Sequence, residues 1–107
     1  MDDIAAKTAG DGYEIIGGYP DYANPDLLEA IPLAARTVLD VGCGAGALGA
    51  AYLRRNPRAR MLGIDADAES VEVAKTRLTE AARADVEAVP MPFELPEGLD
   101  CVVYGDV

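Results

Sequence analysis

Hydrophobic and polar positions along the chain form two recurring patterns, short apolar runs and longer amphipathic stretches. Residues 37–41 and 60–64 are mostly apolar and include several β-branched side chains, as in buried parallel strands. After each run comes a stretch in which apolar residues recur every three or four positions, as in a helix with one buried face. The pattern therefore predicts alternating strands and helices.

Three helices are predicted, each with recognisable end signals. Asn24 is suited to cap a first helix that begins at Pro25. A second helix follows a glycine-rich turn and ends at residues 56–57, Asn-Pro, after two arginines that favour the negative end of its dipole. A third begins after Asp67 and extends over about residues 68–80. Its predicted buried face comprises Val71, Ala74 and Leu78.

Two further strands are predicted in the second half of the chain. Residues 81–89 read as a frayed helix that passes into a short third strand, ending near Asp85 and Val86. Residues 100–104 have the apolar composition of a fourth strand, after a proline-containing stretch that excludes regular structure. Alternation of strands and helices is typical of a parallel α/β sheet with right-handed crossovers.

Glycines at the end of the first strand carry the strongest functional signal. Gly44, Gly46 and Gly49 spell G-x-G-x-x-G, the dinucleotide-binding fingerprint. Gly42, Gly44 and Gly46, with Asp40 before them, also spell D-x-G-x-G-x-G, which resembles the first motif of the class I S-adenosylmethionine-dependent methyltransferases. Glycine allows the backbone to approach a ligand closely, and the following helix directs unpaired amides at the turn. Both patterns predict a nucleotide-like cofactor.

Asp40 separates the two interpretations on electrostatic grounds. At the end of its strand its carboxylate would face the diphosphate of a dinucleotide, and two like charges about 4 Å apart repel by roughly 4 kcal/mol at an effective dielectric of 20. The same carboxylate would attract the ammonium and sulfonium groups of S-adenosylmethionine. The charge therefore favours a methyl donor over a dinucleotide.

Asp65 ends the second predicted strand and is the candidate ribose ligand. An acid at the tip of a strand next to the glycine turn is placed to accept hydrogen bonds from both hydroxyls of an adenosine ribose. The alternative is that Asp65, like Asp67, only caps the helix that follows.

Composition excludes several classes of function. The 107-residue chain is half hydrophobic, and its 19 acidic residues against 9 basic ones give a formal net charge of -10, which disfavours binding to a phosphate backbone. Without a long apolar stretch, and with Asp2 and Asp3 at the amino terminus, the sequence predicts a cytoplasmic protein with no membrane span. Two cysteines, Cys43 and Cys101, and no histidine predict neither a disulfide framework nor a metal site.

Together these motifs resemble the cofactor-binding half of a class I S-adenosylmethionine-dependent methyltransferase. The resemblance rests on the glycine motif, the strand end at Asp65, the segment 84–87 and the strand start at 99–103. Residues 19–31 resemble, less closely, the strap and helix that precede the motif in many members; the tyrosines of that strap either close over the cofactor or pack against the domain.

The family resemblance implies a Rossmann-like, doubly wound parallel sheet, truncated after the fourth strand, with the fourth strand beside the first. Residues 13–107 would form a partial S-adenosylmethionine-binding domain. Residues 1–12 are small, polar and without periodicity, which predicts a flexible amino terminus. The strand at 101–104 would then present an open edge, which predicts self-association.

The resemblance also implies roles for individual residues. Asp40 and the glycine turn would hold the methionine part, Asp65 the ribose, and Asp85 with Val86 the adenine, with Tyr104 near the methyl group. Asp85 could instead be a solvated loop acid, and Tyr104 a packing residue. No catalytic residue is assigned. The predicted cofactor-binding set is Asp40, Gly42, Cys43, Gly44, Gly46, Asp65, Ala66, Asp85, Val86 and Tyr104.

The predicted function is methyl transfer from S-adenosylmethionine, which leaves S-adenosylhomocysteine, to an unidentified acceptor that is a small molecule rather than nucleic acid. Two alternatives stay open. An NAD(P)-binding oxidoreductase domain would use Gly44, Gly46, Gly49 and the same Asp65. A non-catalytic module would bind S-adenosylmethionine without transferring its methyl group.

Overall fold

The computed structural model describes residues 15–16, 19–85 and 91–104 of the chain. Its helices are α1 (Pro25–Ala30), α2 (Ala47–Arg55) and α3 (Ala68–Ala74). Its strands are β1 (Ile15–Ile16), β2 (Tyr19–Pro20), β3 (Thr37–Val41), β4 (Arg60–Asp65), β5 (Glu80–Arg83) and β6 (Cys101–Tyr104). The predicted flexible segment at 1–12 and the adenine residue Val86 lie outside the described residues.

A four-stranded sheet with the order β5-β4-β3-β6 forms the centre of the molecule, and each of its neighbouring pairs is parallel. Strands β1 and β2 form a separate antiparallel pair. Asp40 in β3 is opposite Gly63 in β4 and Val103 in β6. The strand predicted as fourth thus lies beside the first, and the carboxyl ends of β3, β4 and β6 share one edge of the sheet.

Helices α1 and α3 begin at side-chain caps, as the sequence predicts. Asn24 Oδ1 accepts hydrogen bonds from the N–H groups of Asp26 and Leu27, at 2.9 and 3.4 Å, and Pro25 occupies the first turn of α1. Asp67 Oδ2 accepts from the N–H of Ser70 at 2.8 Å and caps α3. These caps satisfy amides that have no partner inside the helix.

Helix α3 is shorter than predicted, and the strand after it comes earlier. The helix ends at Ala74 and not near residue 80, and β5 covers Glu80–Arg83, so that the strand ends before Asp85. Pairing with β4 accounts for the change: Thr79 N–H donates to Met61 O at 3.0 Å, and Met61 N–H donates to Thr79 Oγ1 at 2.9 Å. These tertiary hydrogen bonds outweigh the helical preference of the segment.

The two faces of the sheet are covered differently. All three helices pack on one face, and their apolar residues join the buried cluster that contains Val38 and Met61. The opposite face carries a second cluster, which is covered by partly buried residues from the segment after β5 and the coil before β6. This second cluster is Leu39, Val41, Leu62 and Ile64, covered by Ala84, Phe93, Leu95 and Leu99. No helix in the described ranges is long and apolar enough to cross a bilayer.

Candidate functional site

Three glycines after β3 adopt backbone angles that disfavour other residues. The φ angles are +77° at Gly42, +54° at Gly44 and +89° at Gly46, all in the left-handed region. The N–H groups of Gly42 and Cys43 both donate to Ile64 O, at 2.8 and 2.9 Å. The turn is therefore held against the end of β4, and Gly46 leads directly into α2.

Asp65 joins the glycine turn to the loop after β4. Its Oδ2 accepts from the N–H of Gly44 at 2.9 Å, and its Oδ1 accepts from the N–H of Asp67 at 2.9 Å. A carboxylate has about four lone-pair sites, so each oxygen can still accept a hydrogen bond from a ligand hydroxyl. The sequence left open whether Asp65 caps the next helix; in the structure Asp67 makes that cap, while Asp65 is half-buried beside the turn.

Asp40 is buried at the end of β3. Because side chains alternate along a strand, it faces the helix side of the sheet with Val38, which places it beneath the glycine turn. Asp40 and Asp65 both raise the pKa of the Cys43 thiol through their charges, so both carboxylates lie near this residue. Their combined field favours a cationic ligand group at the turn.

Cys43 is a packing residue of the turn. Its thiol is buried and donates to Gly44 O at 3.3 Å. Burial, with smaller contributions from the charges of Asp40 and Asp65, raises the pKa of Cys43 to about 12. The thiol is therefore protonated near neutral pH and cannot act as a nucleophile.

Leu78 fills a socket behind the glycine turn that the sequence does not reveal. A Cβ atom at Gly46 would lie 3.3 Å from Leu78 Cγ, and one at Gly63 would lie 2.7 Å from Leu78 Cδ1. A Cβ at Gly49 would overlap Leu78 Cδ2 and lie 2.9 Å from Met61 Cγ. Helical spacing predicted that Leu78 is buried, but not that three glycines from separate elements surround it. Close packing against Leu78 and Met61 therefore accounts for the glycine at position 49, whichever cofactor the turn binds.

The remaining predicted residues lie at the same edge of the sheet but are exposed. Tyr104 is at the end of β6, opposite Val41, with 63% of its surface exposed. Asp85 follows β5 and is exposed. Ala66 is also exposed, and its carbonyl accepts from Arg83 Nε at 2.9 Å. The structure therefore buries or half-buries Asp40 and Asp65 beside the glycine turn, whereas Asp85 and Tyr104, predicted to contact the adenine and the methyl group, are exposed.

Arg77, in the turn after α3, is a second residue that sequence reasoning missed. Its Nη1 lies 3.4 Å from the carbonyl oxygen of Ala45, inside the glycine motif. A basic residue late in a predicted helix is already compatible with the helix dipole, and no local pattern indicates its tertiary partner.

Comparison with known proteins places this arrangement in a family. Residues 18–103 match the sequence profile of the methyltransferase small domain. The chain is 36% identical over 74 residues to a ribosomal protein L11 methyltransferase of Aliivibrio fischeri (strain MJ11), covering 69% of this chain and 25% of that protein. It is 40% identical over 76 residues to a trans-aconitate 2-methyltransferase of Afipia carboxidovorans, covering 70% and 29%. The chain thus spans between a quarter and a third of the length of these relatives.

A solved methyltransferase structure is also similar to the chain. The TehB-like S-adenosylmethionine-dependent methyltransferase from Corynebacterium glutamicum superposes with a TM-score of 0.59 at 26% identity, covering 91% of this chain and 48% of that one. The predicted Rossmann-like fold and the resemblance to class I methyltransferases are both confirmed. The chain belongs to the methyltransferase small domain family.

Proposed function

We propose that the chain binds S-adenosylmethionine at the glycine turn and forms the cofactor-binding part of a methyltransferase. The observation that carries the proposal is the hydrogen bond from Gly44 N–H to Asp65 Oδ2, which fixes a ribose-type acceptor beside the turn. The buried carboxylate of Asp40 lies at the same place. Family membership supports the same cofactor.

The side chains present fit this cofactor group by group. In the proposed complex the left-handed glycines allow the methionine part to approach the backbone, with Asp40 beneath its cationic end. The free lone pairs of Asp65 accept the two ribose hydroxyls. Asp85 and Tyr104 border the adenine and the methyl group. When bound, S-adenosylmethionine supplies a methyl group activated by its sulfonium charge.

The chain's own contribution to the reaction is positioning. Hydrogen bonds between the turn, β4 and Asp65 hold the binding groups in place before the cofactor arrives, which lowers the cost of orienting it. For the acceptor we propose a small molecule rather than nucleic acid, because a net charge of -10 repels a phosphate backbone.

We also propose that β6 mediates self-association. Among the described residues β6 pairs only with β3, and its Val102 and Tyr104 are exposed on the face opposite the helices. An unpaired strand edge with apolar side chains is a template for another strand. Sedimentation velocity of the chain at increasing concentration tests this; a single monomeric species at every concentration would contradict it.

The cofactor is tested by calorimetric titration with S-adenosylmethionine, S-adenosylhomocysteine and NAD in parallel. We expect saturable binding of the first two alone. Replacing Asp65 by Ala should weaken their binding by about 2–4 kcal/mol, because two hydrogen bonds to a charged acceptor are lost. The matched control is Asp67→Ser, which removes the neighbouring carboxylate but keeps a helix-capping oxygen.

Three outcomes would decide against parts of the proposal. Binding of NAD alone would overturn the cofactor. An Asp65→Ala variant with unchanged affinity would remove the ribose role of Asp65. Equal losses in Asp65→Ala and Asp67→Ser would assign the effect to general loss of negative charge.

A further inference from the structure

Asp21 and Arg77 form a two-pronged ion pair between distant parts of the chain. Arg77 Nη1 donates to Asp21 Oδ1 at 2.8 Å, and Nη2 donates to Oδ2 at 2.9 Å. The partners are 56 positions apart, one just before α1 and the other in the turn after α3. Parallel hydrogen bonds of this kind fix orientation as well as distance. The pair therefore holds the chain at Asp21 against the turn that follows α3.

The same guanidinium also contacts the proposed cofactor site. Arg77 Nη1 lies 3.4 Å from the carbonyl oxygen of Ala45, which stands between Gly44 and Gly46. Leu78, the next residue, packs behind Gly46. Arg77 thus bridges the glycine turn and Asp21, where the short segment that leads into α1 begins.

The Asp21–Arg77 ion pair is better shielded from solvent than the ion pair between α1 and α2. The side chains of Asp21 and Arg77 are 14% and 30% exposed, whereas those of Glu29 and Arg55, which link α1 to α2, are 69% and 42% exposed. Exposed pairs contribute little to stability, and partly buried, two-pronged ones contribute more. The Asp21–Arg77 pair is therefore the better shielded of the two, while both of its side chains keep some access to water.

We propose that Asp21 and Arg77 form a latch on the cofactor site. With the pair closed, residues 21–24 cover the bound cofactor beside the glycine turn; cofactor enters and leaves while the pair is open. The latch rests on the proposed function, because it requires S-adenosylmethionine to bind at that turn. Both residues are positioning residues, since they act on the covering segment and the turn and not on the reacting atoms.

The test measures the association and dissociation rate constants of S-adenosylhomocysteine with this 107-residue chain by surface plasmon resonance. In Asp21→Asn and in Arg77→Met we expect both rate constants to rise, by about tenfold or more, because an opening step no longer limits either direction. A contact that served stability alone would not accelerate association. Circular dichroism checks that each variant is folded.

The matched control is Glu29→Gln, which converts the acid of the ion pair between α1 and α2 to its amide without touching the turn. We expect wild-type rates in this control. The double variant Asp21→Asn/Arg77→Met should be no faster than either single variant, because both substitutions remove the same interaction.

Wild-type rates in folded Asp21→Asn and Arg77→Met, with S-adenosylhomocysteine still bound, would overturn the latch and leave the proposed function intact. Equal acceleration in Glu29→Gln, or multiplied effects in the double variant, would likewise overturn it. Failure of the wild-type chain to bind S-adenosylhomocysteine would overturn the proposed function, and the latch with it.

Discussion

The carboxyl ends of β3 and β4 are joined to each other, whereas those of β5 and β6 carry exposed side chains. At the first pair, Ile64 O accepts two amides of the glycine turn, and Asp65 accepts a third. At the ends of β5 and β6, which are the two outer strands of the sheet, Asp85 and Tyr104 are exposed. Within the described residues, preorganisation is therefore concentrated where the methionine part and the ribose are proposed to bind. A ligand that enters there incurs less ordering cost.

The largest effect on stability is expected from Leu78→Ala, which tests whether packing behind the glycine turn supports the joined ends of β3 and β4. Loss of this buried side chain from its glycine-lined socket should lower the free energy of unfolding by about 2–5 kcal/mol. Urea denaturation measures the change, with the exposed Leu33→Ala as control, for which we expect a change within about 0.5 kcal/mol. Similar small losses in both variants would show that the socket does not support the turn.

An intermediate effect on stability is expected from Asp100→Asn, which tests how the start of β6 is attached to the start of β3. The N–H groups of Arg36 and Thr37 donate to Asp100 Oδ2, at 2.8 and 3.0 Å, and lower the pKa of this carboxyl. A pKa lower in the folded state means that the carboxylate stabilises the fold above its unfolded pKa of about 4. That stabilisation is lost as pH falls through the folded pKa.

Urea unfolding midpoints measured between pH 2 and pH 7 check this prediction for Asp100. The wild-type midpoint should fall more steeply than that of Asp100→Asn below about pH 4, because only the wild type has this carboxylate to protonate. Parallel acid limbs in the two proteins would contradict the proposed attachment.

The smallest effect is expected from Tyr104→Ala, which tests whether the end of β6 is unsupported. The side chain is exposed, so the free energy of unfolding should change by no more than about 0.5 kcal/mol. Val103→Ala is the neighbouring control; its side chain is buried in the helix-side cluster, and its loss should cost more. Equal losses of unfolding free energy in the two variants would show that the exposed end of β6 is supported as well as its buried part.

The sequence predicted those features that short segments determine by themselves. Asn24 and Asp67 cap their helices because their side chains reach amides two or three residues away. The limits of β3 follow from a compact apolar run before a glycine. Strand order was predicted through the family resemblance and not through local pattern.

Contacts between distant segments account for what could not be predicted. The helical spacing through Leu78 is real, but Thr79 pairs with β4, so the helix ends at Ala74. Neither Arg77 nor Asp21 carries a local signal for its partner, because a charge late in one helix and a charge before another fit many solvent-exposed arrangements. Side-chain packing around Leu78 is set by the same tertiary contacts.

The attachment of β6 also bears on the order in which the sheet assembles. Asp100 meets the amide of Thr37 across 63 positions of chain, whereas Met61 and Thr79 of the β4–β5 contact are only 18 apart. Closing the longer loop costs about 1 kcal/mol more conformational entropy, which favours docking of β6 after β3, β4 and β5 have paired. A cofactor that contacts the ends of both β3 and β6 binds only chains in which β6 has docked. Its concentration would then raise the unfolding midpoint by mass action, so that the last folding step and occupancy of the site are coupled.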